Sequence, residues 1–279
     1  MTFLSDYLAG QVDAVSIDDY IGDWHDKPRD SVWDLPAALG MTQQQYRLWV
    51  ETGELPSMAV LLAGVVGSTA YGLAGPDSDV DRLGVFAYPT AAVLGLHPPK
   101  DSLVDTKPDQ TLHEARKFVA LTLAGNPTVT ELLWLDSYET ITPLGEELVS
   151  IRDAFRCAPR TRSAYLGYAT QQMQRLINRG DGSFSADTRK RTAKHGRHLM
   201  RLCHQGLHLY RTGELLIRLD DPEPFRDFGE RVAGGDIDAA RKLIADYEAK
   251  FDAARSPLPD VPDERPVEAW LLRVRREFW

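Results

Sequence analysis

Val65-Val66-Gly67-Ser68-Thr69-Ala70-Tyr71-Gly72-Leu73-Ala74-Gly75-Pro76-Asp77-Ser78-Asp79-Val80-Asp81-Arg82-Leu83-Gly84 is the stretch on which the fold turns. The apolar run leading into it, Met58 to Val66, predicts a buried strand. Gly67-Ser68 then turns the chain into a short helix predicted from about Thr69, whose free N–H groups suit an anion. A Gly/Pro/Asp loop returns the chain to a second strand, predicted over Asp79 to Ala87. Alternate residues of a strand share a face, so Asp79 and Asp81 are expected to point the same way. Side-by-side carboxylates repel unless a divalent cation lies between them. Hard oxygen donors beside a phosphate site favour Mg²⁺. The expected chemistry is metal-assisted phosphoryl or nucleotidyl transfer.

Working outward, 279 residues with 43% hydrophobic and 26% charged side chains predict an ordinary globular chain of about two domains. No apolar run approaches membrane-spanning length, and the N-terminus lacks the basic region of a signal peptide. Cys157 and Cys203 are too few for a disulfide scaffold or a structural zinc site. A cytoplasmic protein is expected. The net charge of −9 conceals an asymmetry. Residues 1–55 carry ten acids against three bases, residues 151–218 carry fourteen bases against four acids, and residues 220–269 carry fourteen acids against seven bases. A basic block inside an acidic chain points to an anionic partner, nucleotide triphosphate, RNA or both, the alternative being a set of solvated helix faces.

Three segments are expected. Residues 1–55 read as an acidic, separable helical segment, in which Thr42 to Gln45 form a capping box and Tyr46, Trp49 and Val50 an apolar stripe. A DNA-binding role fits poorly with its charge, so it reads as a helical cap or partner-docking element. Residues 56–150 read as an α/β core, with further strands near Leu103–Thr106 and Gln110–His113. A helix is predicted over Glu114–Leu123 and stopped by Gly125, and another over Val129–Leu135, capped by Thr128 and Glu131. Residues 151–279 read as mostly helix: Tyr165–Arg179, Thr188–Arg211, Phe225–Gly234, Ile237–Arg255 and Val267–Phe278. The fold class is α+β.

The Gly-Ser turn followed by Asp-x-Asp resembles the signature of the polymerase-β nucleotidyltransferase superfamily. Within it, the chain is most similar to the predicted nucleotidyltransferases associated with bacterial and phage RNA repair. Gly67 to Gly72 with Ser78 to Gly84 matches a first block. Lys117-Phe118 with Gly125 to Leu133 looks like a second, Lys194 to Leu202 with Thr212-Gly213-Glu214 a third, and Ser256 to Pro259 with Pro262-Asp263 a fourth. The resemblance covers roughly residues 56 to 275. It implies a small mixed-sheet catalytic core followed by a mainly helical domain.

It also implies a third carboxylate on a nearby strand, for which Asp105, Asp109, His113 and Glu114 are candidates. The interval before Glu114-Ala115-Arg116-Lys117-Phe118 in that branch selects Asp109, as base and metal ligand. Lys194, His198 and Arg201 share one helix face, and the resemblance assigns them to the triphosphate. His204 and His208 have zinc spacing but no evident third ligand, and read as core or surface histidines. Lys117, Asn126 and Glu131 read as structural. No Gly-x4-Gly-Lys-Ser/Thr occurs, which argues against a P-loop enzyme.

These readings together predict a nucleotidyltransferase of the EC 2.7.7 type. Asp79, Asp81 and Asp109 would bind Mg²⁺ or Mn²⁺, Gly67 and Ser68 would hold the β and γ phosphates of an NTP, and pyrophosphate would leave. The resemblance implies an RNA acceptor, either a tRNA-like or a damaged 3′ end. A protein hydroxyl as acceptor, and a silent nucleotide-binding partner of an RNA-repair or toxin–antitoxin complex, stand as alternatives.

Overall fold

In the computed structural model, residues 2–26, 34–75, 78–178 and 186–279 are described. Pro76 and Asp77 of the expected loop, and Arg179 at the expected end of a helix, lie outside them. The N-terminal segment holds α1 (Phe3–Leu8), α2 (Ile17–His25), α3 (Leu35–Leu39) and α4 (Gln43–Thr52). The expected capping box starts α4: the Thr42 hydroxyl accepts from the Gln45 amide, and the Gln45 side chain accepts from the Thr42 amide.

The next segment runs β1 (Ala59–Val65), α5 (Gly67–Tyr71), β2 (Arg82–Ala87), α6 (Thr90–Leu94), β3 (Ser102–Thr106), β4 (Asp109–Glu114), α7 (Ala115–Leu123), α8 (Pro127–Thr130) and β5 (Thr140–Ile141). Its strands form one mixed sheet in the order β3-β4-β2-β1-β5. β2 pairs parallel with β4, whereas β1–β2, β1–β5 and β3–β4 are antiparallel. Helices α9 (Pro143–Ser150), α10 (Ala158–Asn178), α11 (Ala186–Thr212), α12 (Glu223–Ala233), α13 (Ile237–Ala253) and α14 (Glu264–Glu277) follow. The fold is α+β with a mainly helical C-terminal region, as expected.

Local boundaries differ where a stronger signal competes. β2 begins at Arg82, so Asp79 and Asp81 lead into the strand rather than lie in it. α8 starts at Pro127, with Asn126 accepting from the Thr128 and Val129 amides. Proline suits the first helical position and asparagine the cap, so this pair outcompetes the predicted Thr128 box. A 3₁₀ turn, Glu131–Trp134, takes the place of the rest of that helix.

Apolar side chains lie on both faces of the sheet. On one, Leu61, Leu83 and Val85 pack with Phe118, Leu132, Leu148 and Trp270. On the other, Val60, Ala63, Phe86 and Leu112 form a small cluster flanked by Tyr88 and Leu103. The N-terminal segment contributes Phe3, Leu4, Ile17, Leu39 and Met41 to the first cluster, with Tyr46 and Trp49 against its edge. Val50 alone of the expected stripe faces out, 61% exposed. α14 joins this cluster too, through Val267, Trp270 and Val274. The Trp270 indole donates to the Leu144 carbonyl at 2.8 Å, and Arg275 pairs with buried Glu114 at 2.7 Å. A separate cluster unites α10, α11, α12 and α13 with Tyr71 and Leu73 from the end of α5. α11 and α12 approach closely at Gly229, where a β-carbon would lie 2.6 Å from the Ala193 carbonyl oxygen. Among the described residues no helix is long and apolar enough to cross a membrane.

Deleting residues 1–50 should therefore unfold the protein rather than release an accessory segment. None of Phe3, Leu4, Ile17, Leu39 and Met41 is more than 6% exposed. Burying such a side chain contributes about 1.5–3 kcal/mol, so losing five exceeds much of a domain's net stability of about 5–15 kcal/mol. The truncated chain is expected in the insoluble fraction without a cooperative melt. A soluble truncation melting like the full chain contradicts this.

Candidate active site

The site forms where β1 turns into α5. Gly67 has φ +68°, and a β-carbon on it would lie 2.3 Å from Asp81 Oδ2. Glycine is therefore required both by the backbone and by the close approach of the carboxylate. The Val66 amide donates to the Asp81 carbonyl at 2.9 Å, extending the β1–β2 ladder past its last paired residues. This fixes Asp81 at the mouth of the sheet.

Strand register explains which further acid joins it. Arg82 pairs with Gln110 across the parallel β2–β4 ladder, so the preceding residues, Asp81 and Asp109, fall side by side. Asp105 lies one strand further out, on β3 opposite Gln110. His113 and Glu114 stand towards the far end of β4: His113 Nδ1 bonds the Ser102 hydroxyl, while Glu114 caps α7 and holds Arg275. Asp109 hydrogen-bonds Asp81, and the charge of Asp79 also reaches it. The Asp81 carboxyl is pushed above its ordinary value by burial, against the pull of Lys194 and with the help of the charges of Asp109 and Asp79 and a hydrogen bond with Asp109. Among the described residues, no three His, Cys, Asp or Glu side chains converge as a ready-made metal cage. The oxygen donors present are nonetheless of the type a hard divalent cation takes, and such an ion would relieve the crowding felt by Asp81.

A cavity of about 510 Å³, a usual size for a small-molecule site, opens between these acids and α11. Gly67, Ser68, Asp79 and Asp81 line one side, and Lys190, Arg191, Lys194, Arg197 and His198 the other, with Arg175 from α10. Asp109 adjoins Asp81 without lining the cavity.

Lys194, His198 and Arg201 share one face of α11, yet they differ in state. Lys194 is an exposed cation. The His198 imidazole is held well below its ordinary value, first by burial and then by Arg201 and other nearby bases. It is neutral, and its Nδ1 accepts from Arg201 Nη2 at 2.9 Å, leaving the ring proton on Nε2. Arg201 is 1% exposed, with its guanidinium carbon 3.9 Å from the centroid of the Tyr71 ring and Nη1 3.9 Å from Glu131 Oε2.

Glu131 is the largest departure from the sequence reading. It is no helix cap: it is 2% exposed, its Oε1 accepts from the Gly67 amide at 3.4 Å, and its Oε2 accepts from the Tyr71 hydroxyl. Burial raises its carboxyl, while Arg201, Tyr71 and the Gly67 amide oppose the shift. Asn126 and Lys117 have the structural roles expected, the first as a cap and the second paired with Asp101 at 3.3 Å. His204 packs its ring edgewise on Phe225. The Gly213-Glu214 and Pro257-Leu258-Pro259 motifs line a different cleft, of about 820 Å³, beside Trp134 and Arg156.

His198 sets an acid limit on stability. Its depressed value means that the folded state takes up a proton less readily than the unfolded chain. Its contribution is intact above the ordinary histidine value of 6.5 and is lost as pH falls below it. Melting temperature should drop between pH 6.5 and 5, and His198→Gln should flatten that slope by up to one proton's worth, about 1.4 kcal/mol per pH unit. Parallel slopes for the variant and the parent would refute the assignment.

The sequence profile of the RNA repair pathway DNA polymerase beta family matches residues 39–233, more than two thirds of the chain. That span runs from the last residue of α3 to the end of α12 and includes every residue of the cavity. No curated individual protein matches the chain. The matched span and the acid-bearing turn it contains agree: the chain belongs to the RNA repair pathway DNA polymerase beta family, a group of polymerase-β-like nucleotidyltransferases.

Proposed function

We propose that this protein transfers an NMP unit from an NTP to a hydroxyl of RNA, with release of pyrophosphate, in a divalent-metal-dependent reaction in the cytoplasm. The observation that carries the reading is the placing of Asp79 and Asp81 beside the Gly67-Ser68 turn, with Asp109 hydrogen-bonded to Asp81, across a cavity from the basic face of α11. Asp79 and Asp81, with Asp109 alongside, would hold Mg²⁺ or Mn²⁺. The bound cation would neutralise phosphate charge and polarise the reacting oxygens. Ser68 and the Gly67 turn would hold the β and γ phosphates. Lys194 reaches the same cavity and would balance triphosphate charge. Asp109 would accept the proton of the attacking hydroxyl as the new P–O bond forms and the bond to pyrophosphate breaks. The cluster of Arg175, Lys190, Arg191 and Arg197 around the cavity supports an extended polyanion as acceptor, and the family's RNA-repair assignment points the same way.

The direct test is incubation with each labelled NTP, bulk RNA and Mg²⁺ or Mn²⁺, followed by separation of RNA from protein. Label should enter RNA. Label on protein would move the acceptor to a protein hydroxyl, and no transfer under any condition would refute the reading.

Asp79→Ala and Asp81→Ala should each abolish transfer, as should chelation of the metal, with activity returning on adding Mg²⁺ to the parent. The loss is expected to exceed about a thousandfold, several kcal/mol of transition-state stabilisation. Full turnover by the double variant refutes the metal assignment. Lys194→Ala should weaken NTP binding by about 1.5–3 kcal/mol, the range of a charge-assisted phosphate contact, with a smaller effect on kcat. Unchanged affinity by calorimetry in the presence of Mg²⁺ would remove Lys194 from the phosphate site.

A further inference from the structure

We propose that Glu131 is a positioning residue for the triphosphate: with Tyr71 and Arg201 it locks the Gly67-Ser68 turn to α11, so that Ser68 and Lys194 address one phosphate chain. The inference rests on the proposed nucleotidyl transfer and deepens it.

A carboxylate removed from water is tolerated when it is paired and hydrogen-bonded, and the partners of Glu131 come from α5 and α11. The Gly67 amide and the Tyr71 hydroxyl lie at the two ends of α5, and both donate to the one carboxylate. Arg201 closes the set from α11, 3.9 Å from Glu131 Oε2 and stacked over the Tyr71 ring. The guanidinium is itself held, because it donates to the Gln205 side chain and to His198 Nδ1. Gln205 in turn donates to the Leu216 and Ile217 carbonyls at 2.6 and 3.1 Å. The far end of α5 is tied to the same helical region, through the Leu219 amide to the Tyr71 carbonyl at 3.2 Å and Arg226 to the Gly72 carbonyl at 3.1 Å.

Ser68 lies inside this clamp. Lys194 lies seven residues before Arg201 on the same face of α11, two helical turns away. The distance between the serine hydroxyl and the lysine is thus set by the buried carboxylate between their helices. A residue that merely stabilised the fold would lower the melting temperature and leave the folded enzyme's affinity for phosphate unchanged.

The test uses the full chain with Glu131→Gln, Tyr71→Phe and the double variant. It reads KM for NTP and kcat from pyrophosphate release, and affinity for inorganic triphosphate by calorimetry with Mg²⁺, well below each melting temperature. Glu131→Gln should raise KM and weaken triphosphate binding by about tenfold or more, and Tyr71→Phe by about threefold. The double variant should be no worse than Glu131→Gln, because both changes act through one contact. Lower melting temperatures with unchanged KM and triphosphate affinity overturn the proposal. If Glu131→Gln does not fold, Tyr71→Phe carries the same comparison, since it keeps the ring over Arg201 and removes only the hydroxyl. Parent protein that neither binds triphosphate nor releases pyrophosphate defeats the nucleotidyl-transfer reading and the positioning role together. Active parent with unaffected variants defeats the positioning role alone.

Discussion

Two carboxylates close on Gly67, and this constraint organises the rest of the molecule. Glu131 accepts from the Gly67 amide, while Asp81 packs so tightly against its α-carbon that no side chain fits. The two acids sense each other's charge through this one residue. A polypeptide can hold such a pair only by supplying positive charge to both sides.

The two sides are supplied differently. Behind the turn, Arg201 is 1% exposed, and its guanidinium is spent on Glu131, Tyr71, Gln205 and His198. That compensation is permanent and belongs to the fold. In front, burial first and then the charges of Asp109 and Asp79 raise the Asp81 carboxyl, with Lys194 as the opposing cation. The buried ion pair and the acids around Asp81 are thus two halves of one electrostatic arrangement. They are separated by the thickness of a glycine.

Much of this was legible where the signal is local. The strand, the glycine turn and the Asp-x-Asp spacing lie within one short stretch, and the capping box at Thr42 and the stop at Gly125 need only neighbouring residues. Features set by distant pairing were harder to read. Asp79-Val80-Asp81 alternates like a strand, yet pairing starts at Arg82. The place of Asp109 beside Asp81 follows from a parallel register that skips over β3, which no local pattern encodes. Glu131 completes a Thr-x-x-Glu pattern and so reads as a cap. Its buried role depends on Tyr71 and Arg201, sixty or more residues away in either direction. The acidic first fifty-five residues read as a separable helical cap or docking element, but apolar burial is decided by a few positions such as Phe3 and Leu4, both 0% exposed. Net charge says little about those.

α11 is where packing and chemistry become inseparable. One stripe of it, Leu199, Leu202 and Cys203, is fully buried in the helical cluster. The stripe beside it carries Lys194 and His198 to the cavity and Arg201 to Glu131. Successive residues are about 100° apart around a helix, so a rotation by one position would bury Lys194 or expose Arg201. Two close contacts oppose such a rotation. Gly229 brings α12 against the backbone at Ala193, and Gly206 lets the Tyr165 side chain of α10 rest where a β-carbon would meet its Cβ at 2.5 Å. These glycines touch none of the acids. By fixing the angular setting of α11 they nonetheless decide that Arg201 is buried against Glu131 while Lys194 stays exposed at the cavity.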